Sequence, residues 1–447
     1  MSNLRVLVMS FGLFLALGIT NGASSASAQS NPRFVSFGGG ANGALYVPNS
    51  GPAPHVAFLV SHRNSNYMTH ASTTQLSSRG FMVLGMTVRA VNNEALVNWP
   101  ELALDIRSGV RFLRSQPGIT TVILIAHSGG GPLMAFYQAV AENGPAYCQG
   151  PNKIIECSSQ TLAGFVPSDR ADGIVYLDAH PGTSVLTLRN LNAGVRNEDQ
   201  PFKALNPMLD PFNVKNGFNP NGESVYSAQF QAKYFRAQSD RMNALIDTAL
   251  DIKKQMAVGK YHPVDEDAFV IYRGRAGLFN MSTNILRGTL NPARLLKNDG
   301  TIVTQVVNSV RVPDPSAREN DQLMGSGNSA GVKELTITAF LTANAIRSDN
   351  SLDGIDWCSS NDSTICAIRQ IHVPVLIGAM GGHYFIRDSE MYFENGAMAD
   401  KEFIVIEGAT HGIGNCTDCA AYWGTGPYTN VPLNTWNYVA AWTNARF

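Results

Sequence analysis

Residues 122–137 read Val122-Ile-Leu-Ile-Ala-His-Ser-Gly-Gly-Gly-Pro-Leu-Met-Ala-Phe-Tyr137. The apolar run at the start predicts a buried strand, and the apolar run at the end predicts a helix. Between them, a turn of small residues carries Ser128, so we expect a sharp strand-to-helix bend that exposes the serine hydroxyl. The positive end of the helix dipole would point to the same place. This stretch therefore predicts a nucleophilic serine.

The turn departs at one position from the usual pattern Gly-x-Ser-x-Gly, because Ala126 stands where the first glycine would be. Alanine is the next smallest residue, so the helix can still approach the strand closely. The alternative is a glycine-rich turn in which Ser128 only caps the helix.

The first 28 residues have the three parts of an export signal. Arg5 supplies a positive charge, residues 6–19 are apolar, and Ala26-Ser-Ala28 is a small-x-small cleavage site. The apolar run is too short for a stable membrane span, although an uncleaved N-terminal anchor is an alternative. We expect a mature chain that is secreted or periplasmic and has no membrane span.

The balance of charge excludes two classes of partner. The chain has 33 basic and 34 acidic residues, without a basic run or tail. Nucleic acids and anionic membranes are therefore not expected as partners. We also expect no metal and no organic cofactor.

The six cysteines form three close pairs along the chain. The pairs are Cys148 with Cys157, Cys358 with Cys366, and Cys416 with Cys419. In an oxidising compartment, such spacing is typical of local disulfides that staple surface loops. A zinc site is the alternative, but no pair has a histidine at zinc-finger spacing. The last pair could also be redox-active, although its surroundings do not resemble a thioredoxin-like unit.

Short apolar runs that alternate with helical segments predict an α/β protein with a mostly parallel sheet. These runs cover residues 33–37, 43–47, 56–60, 80–88, 122–125, 173–177, 373–379 and 402–406. Residues 181–370 contain no clear core strand but include a helical segment near residues 228–256. This segment is too long to be a loop. We expect residues 29–180 and 371–447 to form the core and residues 181–370 to form a largely helical cap.

Three features together resemble the α/β-hydrolase superfamily: the order of the strands, the turn Ala126-His-Ser-Gly-Gly130, and the late loop Gly408-Ala-Thr-His-Gly412. The resemblance covers residues 33–180 and 370–447 but not the insertion between them. It implies an α/β-hydrolase fold, with a doubly wound sheet and a cap inserted after the sixth core strand.

The resemblance also implies a histidine base in the loop after the last strand, and His411 lies there. A base is needed because a serine hydroxyl is a weak nucleophile until its proton is removed. His383, which follows the preceding strand, is the second choice among nine histidines. His127, beside the serine, is expected to shape the turn or to line the substrate pocket.

The acid that orients the base is ambiguous in the sequence. The resemblance implies a carboxylate shortly after the strand at residues 373–379, but the next acids are Asp388 and Glu390. Those two lie where a helix begins, so they could instead stabilise its N-terminus. Asp178, at the end of the strand after the turn, matches the position of the acid in some lipases of the superfamily. We favour Asp178 and keep Glu390 as the alternative.

The oxyanion hole should consist of backbone N–H groups. One is expected from Gly129, and the other from the segment Ser61-His-Arg-Asn64, where the resembled family usually has His-Gly. Arg63 or Asn64 would supply it, and we choose Arg63.

Together these features predict a secreted serine hydrolase that cleaves a carboxylic ester or lactone through an acyl-enzyme on Ser128. One alternative is an amidase or peptidase with the same triad. Another is a catalytically inactive relative that only binds a ligand. The substrate is expected to be a small-molecule ester, lactone or amide, and the cap would determine which one.

Overall fold

The computed structural model describes residues 32–203, 205–260, 268–314, 316–323 and 331–447. The predicted export signal at residues 1–28 lies outside these residues. In the part of the chain that is described, no helix is both long enough and apolar enough to cross a membrane.

The described residues contain fourteen strands, ten of which form one sheet. In chain order the strands are β1 (Arg33–Gly38), β2 (Ala41–Tyr46), β3 (Val56–Val60), β4 (Met82–Thr87), β5 (Thr121–His127), β6 (Gly173–Leu177), β7 (Ala268–Ile271), β8 (Ala293–Leu296), β9 (Ile302–Gln305), β10 (Lys333–Thr336), β11 (Ser348–Asn350), β12 (Gly354–Ile355), β13 (Val375–Met380) and β14 (Lys401–Ile406).

The large sheet has the strand order β1-β2-β4-β3-β5-β6-β13-β14-β8-β9. Every neighbouring pair from β4 to β8 in this order is parallel. The pairs β1–β2, β2–β4 and β8–β9 are antiparallel. A mostly parallel sheet with this order, in which β3 lies between β4 and β5, is the sheet of the α/β-hydrolase fold. The predicted fold class is therefore correct.

Thirteen α-helices accompany the strands in the described residues. They are α1 (Ala71–Ser77), α2 (Trp99–Arg114), α3 (Gly130–Asn143), α4 (Ser159–Leu162), α5 (Thr183–Asn190), α6 (Ala228–Ala257), α7 (Leu278–Met281), α8 (Ala317–Gln322), α9 (Ile337–Ala343), α10 (Thr364–Ile368), α11 (Ile386–Asn395), α12 (Thr417–Trp423) and α13 (Val431–Asn444).

Helices cover both faces of the sheet, which explains why its central strands are buried and apolar at nearly every position. Successive side chains of a strand point to opposite faces. Leu59 of β3 accordingly belongs to a core that includes Val110 of α2 and Phe136 of α3. Its neighbour Phe58 belongs to a second core with Leu76 of α1 and Trp436 of α13.

Residues 181–370 differ in one respect from the expected cap. The strands β8 and β9 lie within this segment, yet they extend the large sheet beside β14. The remainder contains the 30-residue helix α6 and two small sheets, β7 with β10 and β11 with β12. The insertion is therefore a mixture of helices and short strands, and part of it belongs to the core. We did not expect β8 and β9 because each has only four residues and every residue of β9 is exposed, so neither strand is marked by an apolar run.

The predicted pairing of the cysteines is confirmed in the structure. The three disulfides join Cys148 to Cys157, Cys358 to Cys366, and Cys416 to Cys419. Each bridge closes a short loop, which makes it a local staple rather than a link between distant elements.

Candidate active site

Ser128 lies at the tip of a sharp turn between β5 and α3. Its φ angle is +55°, in the left-handed region that non-glycine residues rarely adopt. Helix α3 can begin close to the end of β3 because the three residues after Ser128 are glycines. A Cβ atom on Gly130 would lie 2.4 Å from the carbonyl oxygen of Ser61. The small residues of the turn are thus required by packing, and they leave the half-buried serine in a strained backbone conformation.

His411 contacts the hydroxyl of Ser128, and Asp178 contacts the other ring nitrogen of His411. Nε2 of His411, in the loop after β14, lies 2.9 Å from Oγ of Ser128. Nδ1 of the same ring lies 2.6 Å from Oδ2 of Asp178, which directly follows β6. With its proton on Nδ1, His411 donates to Asp178 and can accept the serine proton on Nε2. The structure thus brings together the serine, the first-choice histidine and the favoured acid.

The environment of Asp178 keeps its carboxylate ionised. The side chain is fully buried, and its Oδ1 accepts the backbone N–H of Met380 at 3.1 Å. Burial by itself would raise the pKa of Asp178, but His383 and His411 outweigh it and hold the pKa below its usual range. A buried negative charge is therefore available to orient the histidine.

His383, the second-choice histidine, also lies at Asp178. Its Nδ1 is 2.7 Å from the Oδ2 atom that faces His411. The ring centroids of His383 and His411 are 4.5 Å apart. The potential ligand atoms of Asp178, His383 and His411 lie within 4.8 Å of one another, so these three residues could hold a metal ion.

The alternative acid, Glu390, is engaged elsewhere. On α11, its carboxylate accepts the backbone N–H groups of Leu290 and Asn291 at 2.8 Å each, and it pairs with Arg387 at 2.5 Å. These contacts anchor the insertion to the core. The structure therefore does not bring Glu390 to His411.

Asp388 has a partner in addition to the helix N-terminus that we considered. It lies in the first turn of α11, where a negative charge suits the helix dipole, and it also forms a buried ion pair with Arg189 of α5 at 2.9 Å. It therefore joins the insertion to the core as well.

His127 contacts the loop after β14 that carries His411. Its Nε2 lies 2.7 Å from the backbone carbonyl oxygen of His411. Its Nδ1 lies 2.9 Å from the hydroxyl of Tyr67 and 3.1 Å from Nε2 of His70. Both ring nitrogens are therefore occupied by protein groups, which favours a positioning role for His127 over the substrate contact suggested by the sequence.

The proton positions on the His70 and His127 rings follow from the backbone N–H group of Ser72. The N–H of Ser72 donates to Nδ1 of His70 at 3.2 Å, so the proton of His70 is on Nε2 and points to Nδ1 of His127. His127 then carries its proton on Nε2 and donates it to the carbonyl of His411. Burial, and then the nearby His411, lower the pKa of His70 to about 4 and that of His127 well below its usual value. Both rings are thus neutral.

Tyr67 and His70 were missed by the sequence analysis. The Tyr67 ring stacks on the His70 ring, with centroids 4.6 Å apart. Burial raises the pKa of the Tyr67 hydroxyl, and the neighbouring Ser128 opposes that rise. Both residues lie in the loop between β3 and α1, and no motif marks them, because their contacts are with residues distant in sequence.

The segment after β3 has no glycine, and the side chain of Arg63 is buried there. Its guanidinium pairs with Glu94 at 2.6 Å, and the side chain is 9% exposed. The backbone N–H groups of Asn64 and Ser65 donate to Nδ1 of His62 at 3.2 and 3.0 Å. Because the Asn64 N–H is engaged, the Arg63 N–H is the better candidate donor at this edge of the site.

No protein-family model and no curated protein matches the sequence. Among solved structures, a truncated carbohydrate esterase from gut microbiota is 11% identical, covers 93% of this chain and 99% of its own, and has a TM-score of 0.41. Proline iminopeptidase from Mycobacterium smegmatis is 12% identical, with coverages of 93% and 98% and a TM-score of 0.38. Est1E from Butyrivibrio proteoclasticus is 10% identical, with the same coverages and a TM-score of 0.36. These likenesses are too distant to indicate activity, and the fold assignment rests on the strand order.

Proposed function

We propose that the protein is a serine hydrolase that cleaves a carboxylic ester or lactone through an acyl-enzyme on Ser128. The observation that carries this proposal is the line of contacts from Oγ of Ser128 to His411 at 2.9 Å and from His411 to Asp178 at 2.6 Å. A serine, a base and a buried acid in this order have the geometry that activates a hydroxyl nucleophile. A protein that only binds ligands has no need for it.

In the first half of the reaction, Ser128 attacks the carbonyl carbon of the substrate. Nε2 of His411 takes the hydroxyl proton as the oxygen–carbon bond forms, and Asp178 stabilises the resulting imidazolium without taking a proton. When the tetrahedral intermediate collapses, the bond to the leaving oxygen breaks. His411 then gives its proton to that oxygen, and the product alcohol departs.

In the second half, water replaces the alcohol. His411 takes a proton from the water as its oxygen attacks the acyl carbon, and it returns a proton to Oγ of Ser128 when the acid leaves. In both halves the negative charge on the carbonyl oxygen would be shared by the N–H groups of Gly129 and Arg63. No metal or organic cofactor takes part in this scheme.

The proposed cellular location of the protein rests on two features. The export signal predicted at residues 1–28 and the three disulfides both suit a secreted or periplasmic enzyme. We expect the substrate to be a small-molecule ester or lactone.

The direct test is active-site labelling of the purified mature chain. A fluorophosphonate should label Ser128, the Ser128→Ala variant should remain unlabelled, and the wild type should hydrolyse p-nitrophenyl butyrate. Parallel assays with the matching anilide would show whether amides are also cleaved. Folded protein without labelling or turnover would contradict the proposal. Loss of turnover on treatment with a chelator would contradict the metal-free mechanism and would point to Asp178, His383 and His411 as ligands.

A further inference from the structure

His62 lies two residues after the end of β3, and its hydrogen bonds define where its proton lies. Its Nδ1 accepts the backbone N–H groups of Asn64 and Ser65, at 3.2 and 3.0 Å. A neutral imidazole has one proton, and a nitrogen that accepts cannot also carry it. The proton is therefore on Nε2, which makes this atom a hydrogen-bond donor.

The His62 ring stays neutral throughout the range in which the proposed reaction would run. The residue is 8% exposed. Burial, followed by the adjacent Arg63, lowers the pKa of His62 to about 3. The tautomer therefore does not change with pH near neutrality, and the donor on Nε2 is permanent.

Nε2 of His62 lies beside Gly129, the residue that follows Ser128. A Cβ atom on Gly129 would lie 2.5 Å from Nε2 of His62, so only glycine leaves room for the imidazole. The N–H of Gly129 is itself one of the proposed oxyanion donors. The hydrogen bonds that His62 makes with described residues all involve Nδ1, so its Nε2–H is not used within that part of the protein.

We propose that the Nε2–H of His62 is a side-chain donor of the oxyanion hole, acting beside the backbone N–H groups of Gly129 and Arg63. This inference rests on the proposed serine-hydrolase function. As Ser128 attacks, the carbonyl oxygen becomes negatively charged and the imidazole N–H hydrogen-bonds to it. The proton stays on His62 throughout. The bonds from Asn64 and Ser65 to Nδ1 hold the ring in this orientation before the substrate arrives, which is what makes such a donor effective.

Two variants of His62 separate this role from that of a loop anchor. His62→Asn keeps an acceptor near the position of Nδ1 but has no donor at the position of Nε2. His62→Gln has the opposite properties, because its amide nitrogen reaches about as far as Nε2 while the acceptor beside the backbone N–H groups is lost.

We expect His62→Asn to lower kcat for p-nitrophenyl butyrate by about 10²- to 10³-fold with little change in KM, as when one oxyanion donor is removed from other hydrolases. Its affinity for butylboronic acid, which forms a tetrahedral adduct with the serine, should fall in parallel. His62→Gln should keep kcat and boronic acid affinity closer to the wild-type values.

The opposite order, with His62→Asn near wild type and His62→Gln impaired, would show that the ring only anchors the loop and would overturn the inference. Equal activity of both variants and the wild type would also overturn it. If His62→Asn does not fold, the boronic acid affinity of His62→Gln decides, since a loss as large as 100-fold contradicts the donor role. A wild-type protein with neither labelling nor turnover would instead refute the proposed function itself.

Discussion

Nε2 of His127 lies 2.7 Å from the backbone carbonyl oxygen of His411. This bond ties the end of β5, next to the proposed nucleophile Ser128, to the loop that carries the proposed base His411. Because the proton of His127 is on Nε2, the ring is a donor to that carbonyl. The separation between the serine hydroxyl and the base is therefore held by a side chain that takes no part in the proton transfer.

Removing this donor should displace the base. In His127→Phe the ring is kept but the N–H is lost, so we expect kcat for p-nitrophenyl butyrate to fall by about 10- to 100-fold, the usual cost of a small misplacement of a catalytic group. His127→Gln can still donate from its amide and should lose less. Steady-state kinetics of the two variants provide the measurement, and equal losses in both would show that the N–H does not matter.

The identity of the acid can be tested with two isosteric amides. Asp178→Asn removes the charge that His411 faces and favours the wrong tautomer of its ring, so kcat should fall by about 10⁴-fold. Glu390→Gln should leave kcat within about tenfold, because its contacts with Leu290, Asn291 and Arg387 are structural. Fluorophosphonate labelling rates provide a second readout. A Glu390→Gln variant that is as impaired as Asp178→Asn would contradict the assignment.

Gly129 should tolerate no side chain, although its backbone would accept one. Its φ angle is −68°, which alanine adopts freely. A Cβ atom would, however, lie 2.5 Å from Nε2 of His62 and 3.1 Å from Nε2 of His180. We expect Gly129→Ala to displace both rings and to reduce kcat by about 100-fold, the scale of losing one oxyanion donor.

Gly412→Ala is the matched control for this substitution. Gly412 is next to His411, but a Cβ atom there would meet nothing within 4 Å. Its kcat should remain close to that of the wild type. If both alanine variants were equally impaired, loss of backbone freedom rather than the clash with His62 would be the cause.

The parts of the site that could be predicted from the sequence are those marked by neighbouring residues. Ser128 follows an apolar strand and precedes glycines, and His411 follows the last strand of the predicted core. The sequence favours Asp178 over Glu390 only narrowly, because each follows a strand of the predicted parallel core. Sheet order alone would favour an acid after β13, which is the neighbour of β14, but packing places Asp178 at His411 and Glu390 at Leu290 and Asn291.

No local sequence pattern predicts the contacts that Tyr67 and His70 make with His127. His70 and Tyr67 reach His127 across 57 and 60 residues, and their proton positions depend on a backbone N–H at Ser72. Long-range packing therefore decides both the contacts and the charge state. A histidine in a polar loop between a strand and a helix otherwise resembles a surface residue.

The lowered pKa of His70 should make the protein sensitive to acid. His70 has a pKa of about 4 in the folded protein, against an ordinary value of about 6.5 in the unfolded chain. Between these two pH values the unfolded chain binds a proton that the folded protein does not, so stability falls as the pH is lowered. The contribution of His70 is on the order of 3 kcal/mol and is complete once the pH is below both values.

Urea denaturation between pH 7.5 and pH 4.5 measures this effect, with His70→Asn as the comparison. Asparagine preserves the acceptor for the N–H of Ser72 at the start of α1 but does not titrate. His70→Asn should be less stable than the wild type at pH 7.5, because the bond to His127 is lost. As the pH falls, its free energy of unfolding should decrease less steeply than that of the wild type. Parallel pH dependences would mean that His70 has the same pKa in the folded protein and in the unfolded chain, and the lowered pKa of His70 in the folded protein would then be wrong.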